Sequence, residues 1–194
     1  MNKTCLPLTK ENYELLIKTI REGYTFDGVK VRPNERVALI LVSEAVTGIR
    51  VGDILRLKLD SIIKREEGYF FNIVEEKTGK RRNFPFNTDL YLMLQNYAIE
   101  KGISRNELLF PIRERQVFKI LEKAVHYLNL DNDSIGSHSF RKMFAQNIYE
   151  ETGNNLAITQ QLLQHSSLLV TQRYLNVTPD ELKAALKSAN KFVI

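Results

Sequence analysis

A mostly α-helical chain with a small three-stranded antiparallel sheet inserted near its N-terminal third is predicted by three observations. Strand-like runs at 61–65, 69–75 (YFFNIVE) and 81–86 (RRNFPF) follow one another directly, with Glu67-Gly68 and Thr78-Gly79 supplying turn chemistry between them. From residue 88 onward every periodic segment reads as helix. Strands and helices are therefore segregated along the chain, which argues against both a βαβ series and a sandwich.

The first helix is expected over 9–22, with Thr9 able to cap it, Tyr13, Leu16, Ile17 and Ile20 forming an apolar stripe, and Gly23 ending it. A second covers 34–46 and stops at Thr47-Gly48, and a short third begins after Arg50. Beyond the sheet, helices are expected at 88–100, 113–129, 138–151, 156–164, 168–174 and 179–189. Thr178-Pro179 with Glu181 makes a capping box with proline at the first helical position, and Leu182, Ala185, Leu186 and Ala189 share one face of that last helix. No repeat, low-complexity tract or Pro/Gly/Ser-rich linker interrupts the chain, so 1–194 reads as one domain, with 175–194 as a tail helix.

Composition narrows the function classes. A 194-residue chain that is 43% hydrophobic and 26% charged can bury a sizeable core and falls outside the disordered class. A net charge of +5 and a pI near 9.2 fit a nucleic-acid partner without requiring one. The single cysteine, Cys5, excludes an internal disulfide framework and a Cys-based zinc site, and three scattered histidines argue against a protein-ligated metal centre. No apolar run could span a bilayer, and the start MNKTCLPLTK lacks a signal-peptide core, so a cytoplasmic location is expected.

The chemistry concentrates in HSFRKMFAQNIYEETGNNLAITQQLLQHSSLLVTQRY, which orders His138, Arg141, His165 and Tyr174. A tyrosine that attacks a phosphodiester needs cations around the phosphorus, because negative charge grows on the non-bridging oxygens in the transition state. Arginine suits that work, since its planar fork holds two oxygens at once. His138 and Arg141, three apart on a helix, share a face. This segment resembles the C-terminal signature of the tyrosine recombinase (phage integrase) family: His-x-x-Arg, then His or Trp, then the nucleophilic Tyr. The family's upstream arginine in a Thr-Gly-x-Arg context is matched by TGIRVGD, which supplies Arg50 with Asp53 three positions later. Its hairpin lysine is matched by Lys77 in EEKTGKRRNFPF, with Lys80 as the competing candidate.

The resemblance implies the tyrosine recombinase catalytic-domain fold and a role for each of these residues. Tyr174 would attack DNA to leave a 3′-phosphotyrosyl enzyme, Arg50 and Arg141 would clamp the phosphate, and Asp53 would orient Arg50. His138 would position Tyr174 or take its proton, His165 would donate to the phosphate, and Lys77 would protonate the departing oxygen. Lys80, Arg81 and Arg82 could grip DNA phosphates or stand as a solvated turn. No cofactor, metal or ATP is called for. The implied partner is double-stranded DNA, held by a homotetramer that is weakly associated or monomeric without it, with room for an accessory DNA-bending protein. Taken singly each residue has a bland reading, such as a capping histidine, a solvated arginine or a core tyrosine; their joint order sets them apart. Two rival functions share the pattern: a topoisomerase IB-like relaxase, and a DNA-binding protein that kept the fold without the chemistry. The chain departs from the family in having Asp53 where Glu is more usual and Gln164 where Gly commonly precedes the second histidine. It also begins about where the catalytic domain should begin, so a separate N-terminal DNA-binding module is expected to be absent.

Overall fold

Caps and stops laid down by the sequence set the helical framework. In the computed structural model, which describes residues 5–74, 79, 81–83, 85–130, 134–163, 171 and 175, helix α1 spans Lys10–Glu22. Thr9 caps it by accepting the Asn12 N–H at 3.2 Å. Gly23 ends it at φ +74°, and a Cβ there would stand 2.6 Å from the Val31 carbonyl oxygen, so only glycine lets the returning chain pass this closely.

Strands β1 (Tyr24–Phe26) and β2 (Val29–Val31) then form a hairpin that the sequence reading had not assigned. Asp27 and Gly28 both take positive φ, the geometry of a tight two-residue hairpin turn. Helix α2 (Glu35–Thr47) follows, capped by Asn34, whose side chain accepts from the Val37 N–H at 3.1 Å. Val37 through Ala45 are all buried, so α2 is the central helix of the core. Arg21 pairs with Glu35 at 3.1 Å, and Asn34 N–H donates to the Ile20 carbonyl at 2.8 Å, which ties α1 to the start of α2.

Helix α3 is the single turn Val51–Ile54, and a 3-10 turn at Leu59–Ser61 leads into the sheet. Strands β3 (Ile62–Arg65), β4 (Gly68–Phe71) and β7 (Pro85–Phe86) make the expected three-stranded antiparallel sheet, in the order β3-β4-β7. The run expected at 69–75 breaks at Asn72, and β5 (Ile73–Val74) pairs separately with β6 (Arg81–Arg82). Asn72 N–H donates to the Ser61 carbonyl at 2.8 Å, one step past the Ile62–Phe71 pair of the β3–β4 ladder, and beyond it β5 runs with a new partner. Tyr69 stacks on Tyr91 of helix α4 (Thr88–Lys101) with ring centroids 3.8 Å apart, which seats the sheet on that helix, and Phe71 stacks on Phe86 of β7 at 4.0 Å within the sheet. Helix α5 (Glu114–Tyr127) completes the framework ahead of α6 (Ser137–Glu151).

The chain divides into two compact units, Met1–Phe144 and Ala145–Ile194. The first holds the core just described. In the second, α6 ends in a left-handed turn at Gly153 and Asn154, and Asn155 caps helix α7 (Leu156–Leu163) by accepting from Ala157 and Ile158 N–H. Lys77, Lys80, His165 and Tyr174 lie outside the described residues, as do the 179–189 helix and all of the expected 168–174 helix except Thr171, which is helical. No helix among the described residues is long and apolar enough to cross a membrane.

Candidate active site

The Thr-Gly-x-Arg segment folds as its residue types dictate. At the end of α2 the Thr47 hydroxyl donates to the Ser43 carbonyl at 2.6 Å and accepts the Ile49 N–H at 3.2 Å, turning the chain back on itself. Gly48 adopts the left-handed conformation, φ 60° and ψ 17°, and its N–H closes the helix on the Glu44 carbonyl at 2.8 Å. Ile49 is fully buried and anchors the turn. Arg50 is then the extended N-cap of α3, half-buried, its carbonyl accepting from Asp53 and Ile54 N–H. The left-handed turn makes one consequence measurable. Gly48→Ala should cost about 1–2 kcal/mol, roughly 2–8 °C of melting temperature at this size, and Gly48→Asn less. Calorimetry showing no loss in the alanine variant would contradict the left-handed turn.

Arg141, on α6, comes to this turn from elsewhere in the sequence. Its side chain is fully buried and its Nη1 donates to the Gly48 carbonyl oxygen. One backbone group thus joins the two arginines expected to act together, with Gly48 two residues before Arg50. His138, three residues earlier on α6, is exposed, and its Nδ1 lies 3.4 Å from Ser137 Oγ. A cavity of about 220 Å³ is lined by Arg50, Asp53, Glu114, Ser137 and His138 among others. Four of the sequence-predicted residues therefore gather here: Arg50, Asp53 and His138 around the cavity, and Arg141 on the turn that ends beside Arg50.

Asp53 is almost wholly buried and accepts from Arg56 Nη2 at 2.8 Å. The same Arg56 nitrogen donates to the Val74 carbonyl at 3.1 Å. Arg56 so bridges the Arg50 turn and β5, the strand that leads toward Lys77. Sequence reasoning passed it over, although its three-residue spacing from Asp53 was the available signal. Two acids were also missed. Glu114 lines the cavity at the start of α5, and Glu44 sits buried on α2. Burial pushes the Glu44 carboxyl well above the usual carboxylate range; the Arg141 charge opposes this and Glu114 reinforces it. At the N-terminal edge, the buried Lys142 ammonium donates to the Cys5 carbonyl at 2.6 Å, and burial lowers its pKa. Arg81 is exposed on β6 beside Arg82.

With this geometry in place, comparison with known proteins is direct. The phage integrase family model matches residues 7–181, nearly the whole chain. The chain belongs to the phage integrase family. Among the family's curated members, the probable integrase/recombinase YoeC of Bacillus subtilis is 29% identical over 182 residues, which cover 89% of this chain and 96% of that protein. The tyrosine recombinase XerA of Pyrococcus furiosus is 30% identical over 184 residues, and the match covers 63% of its length. The chain also spans only about half of several other curated relatives. Solved structures share the family fold: XerH bound to its palindromic difH substrate in a post-cleavage complex superposes with a TM-score of 0.71 at 22% identity, covering 95% of this chain and 53% of that one. The catalytic domain of bacteriophage HP1 integrase gives 0.62 at 20% identity, covering 94% of both chains. The helical fold with its inserted antiparallel sheet is therefore the tyrosine recombinase catalytic-domain fold.

Proposed function

We propose that this protein is a site-specific DNA recombinase that integrates, excises or inverts DNA through a 3′-phosphotyrosyl intermediate. The observation that carries the reading is the seating of Arg141 on the Gly48 carbonyl, in the turn that presents Arg50 to a cavity that His138 also lines. Two guanidinium groups at one cleft can share the charge that develops on a phosphodiester under attack. Tyr174 Oη forms the bond to phosphorus and releases its proton, with His138 as the acceptor or positioning group. The 5′ oxygen departs with a proton from Lys77 or Lys80. His165 adds a donor to the phosphate, while Arg81 and Arg82, paired with the β5 strand, offer positive charge to neighbouring phosphates. The phosphotyrosyl bond retains the energy of the broken ester, and the arginines supply charge that a metal ion supplies in other phosphoryl-transfer enzymes. The reading therefore calls on neither ATP nor a metal cofactor.

The partner in this reading is double-stranded DNA, and the working assembly is a homotetramer on that DNA. Support comes from family membership and from the fold shared with a lambda integrase tetramer bound to a Holliday junction, at TM-score 0.67 and 18% identity. An accessory DNA-bending protein is compatible with the same scheme. The deciding experiment incubates the protein with a pool of nicked duplexes of randomised sequence and resolves the products on a denaturing gel. A covalent protein–DNA adduct supports the reading, and its sequence reports the target. If no sequence in the pool is ever captured, the reading fails.

The hairpin lysines separate in the same assay. Lys77→Ala should cleave the captured duplex slowly, yet recover on the same duplex carrying a 5′-bridging phosphorothiolate, because a thiolate leaves without protonation. Recovery seen in Lys80→Ala instead would reassign the acid, and recovery in neither variant would remove both.

A further inference from the structure

The β5–β6 ribbon, whose strands flank Lys77 and Lys80 in sequence, has a short ladder. Ile73 pairs with Arg82 and Val74 with Arg81, and the ribbon is a sheet separate from β3-β4-β7. Ile73 packs against the core, while Val74 is exposed. A two-stranded ribbon this short is marginal by itself. A group that delivers a proton must nonetheless come within hydrogen-bond reach of the atom that receives it. The direction of the ribbon therefore depends on contacts outside its own ladder.

Arg56 makes such a contact from the arginine side of the site. It stands just beyond α3, and its Nη2 donates both to Asp53 Oδ1 at 2.8 Å and to the Val74 carbonyl at 3.1 Å. A guanidinium Nη carries two hydrogens, so one nitrogen can serve both acceptors. Asp53 is a firm anchor: its side chain is 3% exposed, and its N–H donates to the Arg50 carbonyl at 2.9 Å. A continuous path thus runs from the Arg50 turn through Asp53 and Arg56 to Val74, three residues before Lys77. We propose that Arg56 is a positioning residue, which fixes the β5–β6 ribbon against the Arg50 turn and so holds the hairpin lysine at the phosphate under attack. The proposal rests on the reading of Lys77 or Lys80 as the acid.

This role differs in its consequences from the two others open to a half-exposed cation at this place. A loosened ribbon costs rate only where the departing oxygen needs a proton, and a bridging sulfur removes that need. An Arg56 that did no more than brace the Arg50 turn would act on the phosphate charge, which develops whichever atom departs. An Arg56 that touched a DNA phosphate itself would act on affinity and on its salt dependence.

The test uses Arg56→Met, which keeps an aliphatic stem for packing and removes the guanidinium. In single-turnover reactions at saturating protein, this variant should cleave the duplex captured from the randomised pool about ten-fold or more slowly than wild type, since small misplacements of a reacting group carry large rate costs. It should recover to within about three-fold of wild type on the same duplex carrying a 5′-bridging phosphorothiolate. In the free protein, well below its melting point, the β5 and β6 amides should exchange with solvent about three-fold faster or more. Equal slowing on both duplexes would confine Arg56 to the Arg50 turn and overturn the proposal. Wild-type cleavage of the ordinary duplex would overturn it as well, and so would a defect in DNA affinity alone or unchanged amide exchange. If neither Lys77→Ala nor Lys80→Ala recovers on the phosphorothiolate, the acid reading falls separately. Faster β5–β6 exchange in Arg56→Met then upholds the tether, and unchanged exchange removes it.

Discussion

Arg141→Ala should reduce DNA cleavage by about 10²–10³ or more, the usual range for losing one preorganised donor at a site of developing charge. The structure adds a second effect that spacing along a helix could not foretell. Arg141 is fully buried and bonded to the Gly48 carbonyl, so the alanine variant also strips a donor from a buried acceptor. A loss of roughly 1–3 kcal/mol in stability should accompany the loss of cleavage. Arg141→Lys separates the two effects: it keeps a charge and more of the volume, so it should melt closer to wild type, yet it lacks the planar fork and should still cleave poorly. Arg50→Ala should lose cleavage comparably with a smaller drop in melting temperature, because Arg50 is only half-buried at the edge of the cavity. Single-turnover adduct formation, measured well below each variant's melting point, is the readout. Near-normal cleavage by Arg141→Ala would sink the clamp assignment.

Tyr174→Phe should bind the captured duplex as wild type does and form no covalent adduct at all. The substitution removes one oxygen, so packing and surface charge survive while the nucleophile is lost. An isolated phenol has a pKa near 10 and does not attack esters at neutral pH, which makes the surrounding cations part of the same expectation. An adduct still formed by Tyr174→Phe would assign the nucleophile elsewhere, with the other tyrosines the next to test.

Much of the framework was legible because local chemistry agrees with it. Thr9, Gly23, Asn34 and Gly48 stop or start helices within a residue of the expected boundaries, each through a cap that its side chain or positive φ supplies. The hairpin at β1–β2 was equally legible in principle: Asp27-Gly28 between apolar residues is a strong turn signal, and it went unread beside the larger sheet. The splitting of 69–75 and 81–86 into short strands was not legible, since it turns on which distant strand each piece meets: β4 pairs with β3 and β7, and β5 with β6.

For the site, the sequence by itself determined the family and the order of the six chemical residues, Arg50, Lys77, His138, Arg141, His165 and Tyr174, because a fixed set of residue types in fixed order survives without any knowledge of contacts. Only the tertiary structure decided how deep Arg50, His138 and Arg141 sit. His138 and Arg141 share a helix face by spacing, yet one is exposed and the other fully buried, since exposure depends on what packs against the helix and not on the helix itself. Tertiary packing also gave Asp53 its bond to Arg56 and carried that guanidinium on to β5. It buried a carboxyl at Glu44 on the helix end whose Gly48 carbonyl receives Arg141, 97 positions further along the chain, counted from 44 to 141. Periodicity reports which residues face the same way; which distant charge they meet is settled by the folded chain, where burial raises the strength of every such encounter.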